Sequence, residues 1–473
     1  MKQLLLSFLF LCFVCCDMIA APKPTAPWRH GPLMVSENHR FLMHRDGTPF
    51  FLQGETAWLM PQRLNRDEVV FYLQQCAAAG YNMVQVQVLN AVPSYNVYGQ
   101  SSDTDAYWQH LDFIIDEAAR NGIYLGLVTV WGSQVKAGKF DEAKARQYGD
   151  FLARRYRDRP NIIWIMGGDI QGDIRPEVWQ ALATTIKQLD KNHLMTYHPR
   201  GRYTSAHWWA GAEWIDFHAF QSGHRRYGQR MGNKEYPIPD NTEEDNWMYV
   251  DSTWTYKPIK PVIDDEPIYE GIPQGLHDAD EPLWTADHVR RYAYWSVFAG
   301  SCGHTYGNNS IMQFYRPGLP PAYHVTKPWY DALHDPGFHQ MQYLSRLILT
   351  FPYFERIPDQ TIVLDNGTRY DRLAATRGKD YLLVYNFTAR PMRLDLTKIS
   401  GERKRIWWMN ADDGSLVFLG EHPSKVLTFR PHDTRDGVLI AIDATKDYLH
   451  TNQTHIIPTA TPALGGLPVD RNE

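Results

Sequence analysis

The sequence predicts a (β/α)8 barrel followed by a small all-β sandwich, and three observations predict it. Eight strand-like apolar runs alternate mostly with amphipathic segments over some 300 residues. Those runs end repeatedly on polar or aromatic residues, as strands do where a barrel opens. After the segment 331–349 the pattern changes to short alternating runs separated by Asp-Asn-Gly, Gly-Lys-Asp and Asp-Asp-Gly turns, as in an antiparallel sandwich.

In chain order, Lys2, the apolar run Leu4–Val14 and Ile19-Ala-Ala21 read as a secretion leader, too short to span a bilayer. Cys16, placed directly after the apolar run, offers a site for acylation and outer-membrane association. The leader is expected to cover 1–21, and the mature protein to be exported to the periplasm or cell surface. Cys12 and Cys15 form Cys-x-x-Cys within the leader and are not read as a redox or zinc motif; Cys76 and Cys302, far apart, make no disulfide framework. Pro22–Pro27 is a spacer, and Phe41–Phe51 reads as a hairpin turned at Asp46-Gly47.

The barrel is expected over 22–355. Its strands are Phe51–Trp58, Met83–Leu89, Ile123–Trp131, Asn161–Asp169, His193–His198, Trp214–Phe220, Pro261–Glu266 and Gly300–Gly307. The helices between them are Asp67–Ala79, Trp108–Asn121, Asp141–Arg157, Arg175–Asp190 and Trp284–Phe298. Leu111, Ile114, Ile115 and Ala118 illustrate the one-sided spacing that makes such a segment helical, closed by Gly122. Only Ser205–Gly211 separates strands five and six. Ser222–Lys257 fits a loop over the mouth better than a core element, and a helix is expected around Asp331–Leu349. An open doubly wound sheet is the competing fold, but no Gly-x-Gly-x-x-Gly turn follows the first strand. The sandwich is expected over 356–445, with runs Thr361–Leu364, Arg372–Thr376, Tyr381–Phe387, Arg405–Met409, Leu416–Leu419, Val426–Phe429 and Val438–Ile442. A polar tail fills 446–473.

Charge and composition narrow the function. The 473 residues carry a net charge of −5 with no basic stripe or polybasic patch, which argues against nucleic acid and anionic membrane as partners. Trp (16) and Tyr (27) are plentiful, and flat rings with a polar edge suit packing against sugars. No His-Glu-x-x-His occurs, so no metal or other cofactor is expected; no Gly-x-Ser-x-Gly nucleophile turn occurs either.

Two strands deliver carboxylates. Ile162–Ile165 is an apolar run buried on both faces that ends on Gly167-Gly168-Asp169, and Pro261–Glu266 ends on acids before a proline. Strands four and seven face each other across a barrel mouth, so Asp169 and Glu266 suit the two carboxylate roles of acetal cleavage, one protonating the leaving oxygen and the other attacking carbon or activating water. Glu270 is the rival for the second role, and is otherwise suited to gripping a hydroxyl. Glu55, Trp131, His198, His218 and His304 would ring the same mouth, and Gln87 alternates toward the barrel interior.

Gly54-Glu55-Thr-Ala-Trp58, Trp164-Ile-Met-Gly-Gly-Asp169, Tyr197-His198-Pro-Arg-Gly201, Gln221-Ser-Gly-His224, Glu266-Pro-Ile-Tyr-Glu270-Gly271 and Gly303-His304-Thr-Tyr306-Gly307 together resemble the apiosidase-like glycoside hydrolases of gut Bacteroidetes. The resemblance runs from about Gly31 to Phe351, and the Gly-Gly-Asp and Glu-Pro-x-Tyr-Glu-Gly segments are its specific parts. The remainder resembles the collagen-binding-type β-sandwich that follows such barrels, although nothing in the sequence argues for collagen. The resemblance implies a retaining, exo-acting glycosidase of plant pectin that removes apiose from galacturonic acid in rhamnogalacturonan II, with Asp169 as acid/base and Glu266 as nucleophile. One departure stands out: the family's first-strand motif usually reads Gly-Asp-Thr-Ala-Trp, and here Glu55 takes the aspartate's place. Trp58, Gln221 and Tyr306 join Glu55, Gln87, Trp131, His198, His218, Glu270 and His304 as the expected substrate-binding set, in a chain expected to be a monomer with a carbohydrate substrate. Two alternatives remain: a non-catalytic carbohydrate-binding barrel using Trp407, Trp408 and the mouth aromatics as a platform, with at least one of the two tryptophans expected to be core because adjacent strand residues face opposite ways, and a retaining glycosidase of this fold acting on another glycan.

Overall fold

The computed structural model of the chain describes residues 26–89, 105–229 and 244–456. The expected leader with its cysteines, part of the 222–257 segment and most of the tail lie outside these residues. A small antiparallel sheet comes first: β1 (Leu33–Val35), β2 (Leu42–His44) and β3 (Pro49–Phe50), the last two forming the hairpin turned at Asp46-Gly47.

Eight parallel strands follow: β4 (Leu52–Thr56), β5 (Met83–Leu89), β6 (Tyr124–Val130), β7 (Ile162–Ile170), β8 (Met195–Pro199), β9 (His218–Phe220), β10 (Val262–Asp264) and β11 (Gly303–Tyr306). They pair in the order β8-β7-β6-β5-β4-β11-β10-β9. At the seam between β8 and β9, Asp216 donates its backbone N–H to the Met195 carbonyl at 2.8 Å and Thr196 donates to the Phe217 carbonyl at 2.7 Å. This is the barrel, with helices such as Arg66–Ala78, Asp105–Arg120, Glu142–Tyr156, Pro176–Leu189 and Ala286–Phe298 packed outside it. Asn65 shows how local chemistry sets an element's start: its side chain accepts from Glu68 N while Glu68 reaches back to Asn65 N, both at 2.9 Å, so two otherwise unpaired donors at the helix end are satisfied. The link between β8 and β9 holds only the one-turn helix Ala206–Trp209.

Three elements differ from expectation. The 222–257 segment contributes a helix, Trp247–Thr253, whose Tyr249 and Val250 are buried with Phe220 and Val262, so part of it is core. The helix expected over Asp331–Leu349 is two, Trp329–Ala332 and Pro336–Thr350, because Pro336 has no N–H to continue the first and suits the opening turn of the second. Thr361–Leu364 is no strand. Asp359 accepts hydrogen bonds from Thr361 N (3.1 Å) and Thr361 Oγ1 (2.6 Å), which draws the chain into a 3-10 turn at Gln360–Ile362.

The second domain pairs β12 (Ile357–Pro358), β13 (Leu373–Arg377), β14 (Tyr381–Asn386), β16 (Arg403–Asn410), β17 (Leu416–Pro423) and β19 (Gly437–Asp443) in one antiparallel sheet, and β15 (Met392–Asp395) with β18 (Val426–Phe429) in another. β15 was not expected from the sequence, although Met392 and Leu394 alternate into the sandwich core while Arg393 is exposed; at four residues the run is short. Trp407 and Trp408 are both fully buried. Adjacent strand residues face opposite ways, so Trp407 enters the core continuous with the barrel and Trp408 the sandwich's own core, and neither is available as a binding platform. Among the described residues no helix is long and apolar enough to cross a membrane.

Candidate active site

β7 ends in a bulge that aims one carboxylate. Gly167, Gly168 and Asp169 have φ of 88°, 106° and 52°, and the pairing with β8 slips between Gly167 and Ile170. Glycine is required twice: a Cβ on Gly167 would collide with the His198 carbonyl, and one on Gly168 would sit 2.7 Å from Trp131. Asp169 itself adopts a left-handed conformation that non-glycine residues seldom hold, and it is the one exposed residue of the strand. It opens into a cavity whose surrounding walls disfavour its charged form, so its pKa is pushed up to about 6, with the negative charge of Glu266 adding to the effect. Gly168→Ala is expected to leave a folded protein with kcat/KM reduced roughly 100-fold, because the bulge carrying Asp169 must shift against Trp131. Steady-state kinetics beside circular dichroism checks this.

The three acids after Ile263 take different partners as the strand ends at Asp264. Asp264 accepts from Ser222 Oγ at 2.7 Å and Asn246 Nδ2 at 3.0 Å, away from the cavity. Asp265 faces His198, whose Nδ1 lies 2.8 Å from Asp265 Oδ2, and the Asp265 carbonyl accepts from Gln85 Nε2 at 2.8 Å. Glu266, two residues past the end of β10, has Oε2 3.2 Å from His198 Nε2 and Oε1 3.3 Å from His224 Nε2. Burial pushes the Glu266 pKa up, but the two histidines outweigh it and hold the carboxyl down at about 2. Burial likewise opposes charge on His198, and is outweighed by Asp265 and Glu266, which raise its pKa to about 10. His198 is therefore a buried cation clamped between two carboxylates, and it fixes Glu266 from below.

Both carboxylates open into one cavity of about 600 Å³. Of the expected residues it is lined by Trp58, Gln87, Trp131 and Gln221 as well as Asp169 and Glu266. Trp58 and Trp131 pack edge to face, with ring centroids 5.4 Å apart, and Trp58 Nε1 donates to Tyr269 Oη at 3.1 Å. Tyr269, His224, Tyr323 and four arginines, Arg63, Arg200, Arg202 and Arg225, also line it and were not anticipated. His224, Arg200 and Tyr269 fall within the quoted motif segments. Arg63 comes from the short helix Met60–Arg63 and Tyr323 from the loop after β11, stretches with no distinguishing pattern.

Six expected residues do not line the cavity. His198 lies wholly beneath it. Glu55 is fully buried and accepts from Tyr72 Oη on the helix Arg66–Ala78, because the pleat turns Glu55 toward the helix layer while Thr56 faces Gln85 inside. His218 begins β9 at the end away from the mouth and meets Ser205 Oγ at 3.0 Å. Tyr306 faces the helix layer and donates to Glu270 Oε2 at 2.6 Å, and His304, two residues earlier on the same face, is buried with it. Glu270 thus points away from the cavity, and burial pushes its pKa up to about 7. Contrary to a hydroxyl-gripping role, Glu270→Gln, which keeps an oxygen to accept from Tyr306 and removes a charge that burial disfavours, is expected to leave a folded protein that melts no lower at pH 7.5, with KM within about twofold of wild type. Thermal melts beside kinetics test it.

Among the described residues no group of three or more His, Cys, Asp or Glu is arranged to hold a metal ion, and Cys76 and Cys302 are free and buried. What the site offers is one carboxyl that holds its proton to about pH 6 and a second that stays ionised, facing a cavity of sugar size with indole walls.

Known families and solved structures match the chain over most of its length. The model described as "Apiosidase-like, catalytic domain" matches residues 36–355, and the one described as "Putative collagen-binding domain of a collagenase" matches residues 357–442. A solved glycoside hydrolase family 5 protein from Bacteroides vulgatus ATCC 8482 is 57% identical with a TM-score of 0.90, over 92% of this chain and 98% of that one. A second solved structure, described as a glycoside hydrolase, is also 57% identical, with a TM-score of 0.88 over 90% of this chain and 100% of that one. No curated protein matches the chain.

Proposed function

Because the chain belongs to the apiosidase-like family and is a glycoside hydrolase, we propose that it is a retaining, exo-acting glycosidase of plant pectic glycan, with Asp169 as acid/base and Glu266 as nucleophile. The observation that carries this reading is the pair of carboxyl groups sharing one cavity with pKa values pushed apart, about 6 and about 2. Asp169 protonates the leaving oxygen while Glu266 attacks the sugar carbon, giving a glycosyl ester. Asp169, now ionised, takes a proton from water as it hydrolyses that ester, so configuration is retained. His198 and His224 keep Glu266 ionised, and Trp58 and Trp131 offer indole faces to the ring. Arg63, Arg200, Arg202 and Arg225 along the same cavity suit the carboxylates of galacturonic acid, and so support a pectic substrate. Export, by cleavage after Ala21 or acylation of Cys16, would bring the enzyme to a polymer outside the cytoplasm.

The test is incubation with rhamnogalacturonan II oligosaccharides and a wider glycan panel, following released sugar by chromatography and its first-formed anomer by NMR. Release of single apiose units with retained configuration is expected. Internal cleavage, inversion, or activity confined to neutral glycans would each overturn the corresponding part. The pH profile adds a further expectation. kcat/KM needs Asp169 protonated and Glu266 ionised, so it should plateau below pH 6 and fall about tenfold per unit above it.

A further inference from the structure

No sandwich residue lines the cavity, yet the sandwich grips the loop that does. The stretch 223–229 brings His224 to Glu266 and Arg225 to the cavity wall. Three residues after His224, Tyr227 donates its backbone N–H to Glu244 Oε1 at 2.8 Å. That same oxygen accepts from Tyr370 Oη, of the sandwich domain, at 3.0 Å, while Glu244 Oε2 accepts from Arg291 of the barrel helix Ala286–Phe298. Glu244 and Arg291 are 1% and 0% exposed, so this is a buried carboxylate satisfied jointly by the cavity loop, the barrel and the second domain.

The neighbouring contacts repeat the pattern. The Tyr227 ring meets Tyr370 edge-on at 5.3 Å and lies under the Arg369 guanidinium at 5.0 Å. Arg291 lies 4.6 Å from the centroid of Tyr370, and Arg372 3.6 Å from that of Trp247. Tyr227 Oη and Trp247 Nε1 both donate to Asp245 Oδ1, at 2.6 and 3.2 Å. On its other side the His224 carbonyl accepts from Gly275 N at 3.0 Å and Trp284 Nε1 at 3.4 Å. The loop is thus fixed at one end by the barrel and at the other by a cluster that the sandwich completes.

We infer that the sandwich is a working part of the active site, in which Tyr370 is a positioning residue: through Glu244 and Tyr227 it sets the loop that places His224 on Glu266 and Arg225 in the cavity. The inference rests on the reading of this cavity as the glycosidase site, and it gives the second domain a role other than binding. Removing the Tyr370 hydroxyl leaves the buried Glu244 carboxylate one donor short at Oε1, and the other donor to that oxygen is the Tyr227 backbone, so a shift of the carboxylate is passed to the loop. His224 touches Glu266, so the loss should appear in kcat more than in KM.

The experiment compares Tyr370→Phe with Tyr385→Phe in the full-length protein. Tyr385 also joins the two domains, stacking on Tyr294 with centroids 4.5 Å apart and donating to Asp436 at 2.8 Å, but it touches nothing in the loop. Both variants keep the aromatic ring and differ from wild type by one oxygen. Tyr370→Phe is expected to lower kcat roughly tenfold with KM little changed, and to speed hydrogen exchange in 223–229. Tyr385→Phe is expected to lower the melting temperature and change neither. If Tyr370→Phe matches Tyr385→Phe in kcat, KM and loop exchange, the inference is overturned. Should wild type cleave no glycoside, the functional reading fails by itself, and the exchange comparison still decides whether Tyr370 holds the loop.

Discussion

Glu266→Gln is expected to abolish turnover of every glycoside, activated aryl glycosides included, with a fall in kcat of about 10⁴-fold or more, the scale on which loss of a covalent nucleophile is felt. Glutamine keeps the volume of the side chain and a carbonyl oxygen for one of the two histidines, so the protein should fold. An amide, however, does not form the glycosyl ester, and no improvement in the leaving group compensates for a missing first bond. The substitution also removes one of the two anions that keep His198 protonated, and the charge that helps raise the Asp169 pKa, so the Asp169 titration should move down in the variant. Trapping provides the direct check: a fluorinated glycoside that forms a slow-turning ester should add its sugar mass to wild type on the peptide carrying Glu266, and add nothing to the variant. Label on Glu270, or near-normal turnover by Glu266→Gln, would move the nucleophile elsewhere. The geometry argues against Glu270, whose carboxylate is taken up by Tyr306 on the far side of the loop.

How much of this was readable in the chain depended on the range of the interactions involved. The barrel was readable because its signal is local: β7 is a continuous apolar run, its neighbours repeat the pattern, and Gly167-Gly168-Asp169 marks where the strand gives way to a bulge. The two carboxylates followed from their place at strand ends. Which way a strand-end side chain points was not readable, because it depends on the phase of the pleat against a neighbour far away in sequence. Glu55 and Tyr306 occupy paired positions on β4 and β11 and both turn outward to the helices, a fact set by the register of the two strands. For Trp407 and Trp408 the pleat already requires at least one indole to be core, and only the packed second domain reveals that the other has a core to fill as well. The arginines of the cavity arrive from separate segments after β4, β8 and β9, and their convergence exists only once the barrel closes. The departure at Glu55 is explained in the same way. Its extra methylene is accommodated against Tyr72 in the helix layer and does not reach a sugar, so the cavity's chemistry is unaffected by it.

Asp169→Asn should split substrates by their leaving groups. A glycoside whose leaving group must be protonated is expected to lose roughly 10³-fold in kcat/KM, within the range for removal of a general acid, whereas one releasing a nitrophenolate should form the glycosyl ester at close to the wild-type rate. Ester hydrolysis then becomes slow, since no base remains to activate water, and added azide should restore turnover by attacking the ester directly with retained configuration. The fall in kcat/KM above pH 6 should disappear for the activated substrate, because the group responsible for it is gone. Stability gives an independent reading with a definite sign. Asp169 has its pKa raised in the folded state, so the folded protein binds more protons than the unfolded chain between the ordinary aspartate range and about pH 6. Stability therefore falls as pH rises through that window, and at pH 7.5 the ionised carboxylate is held at a cost. Asparagine carries no such charge and tolerates the left-handed backbone at φ 52° at least as well, so the variant should melt above wild type at pH 7.5 and approach it below pH 4. An Asp169→Asn protein that slows both substrate types equally, keeps the wild-type pH profile and melts no higher at pH 7.5 would show that the proton donor is another group.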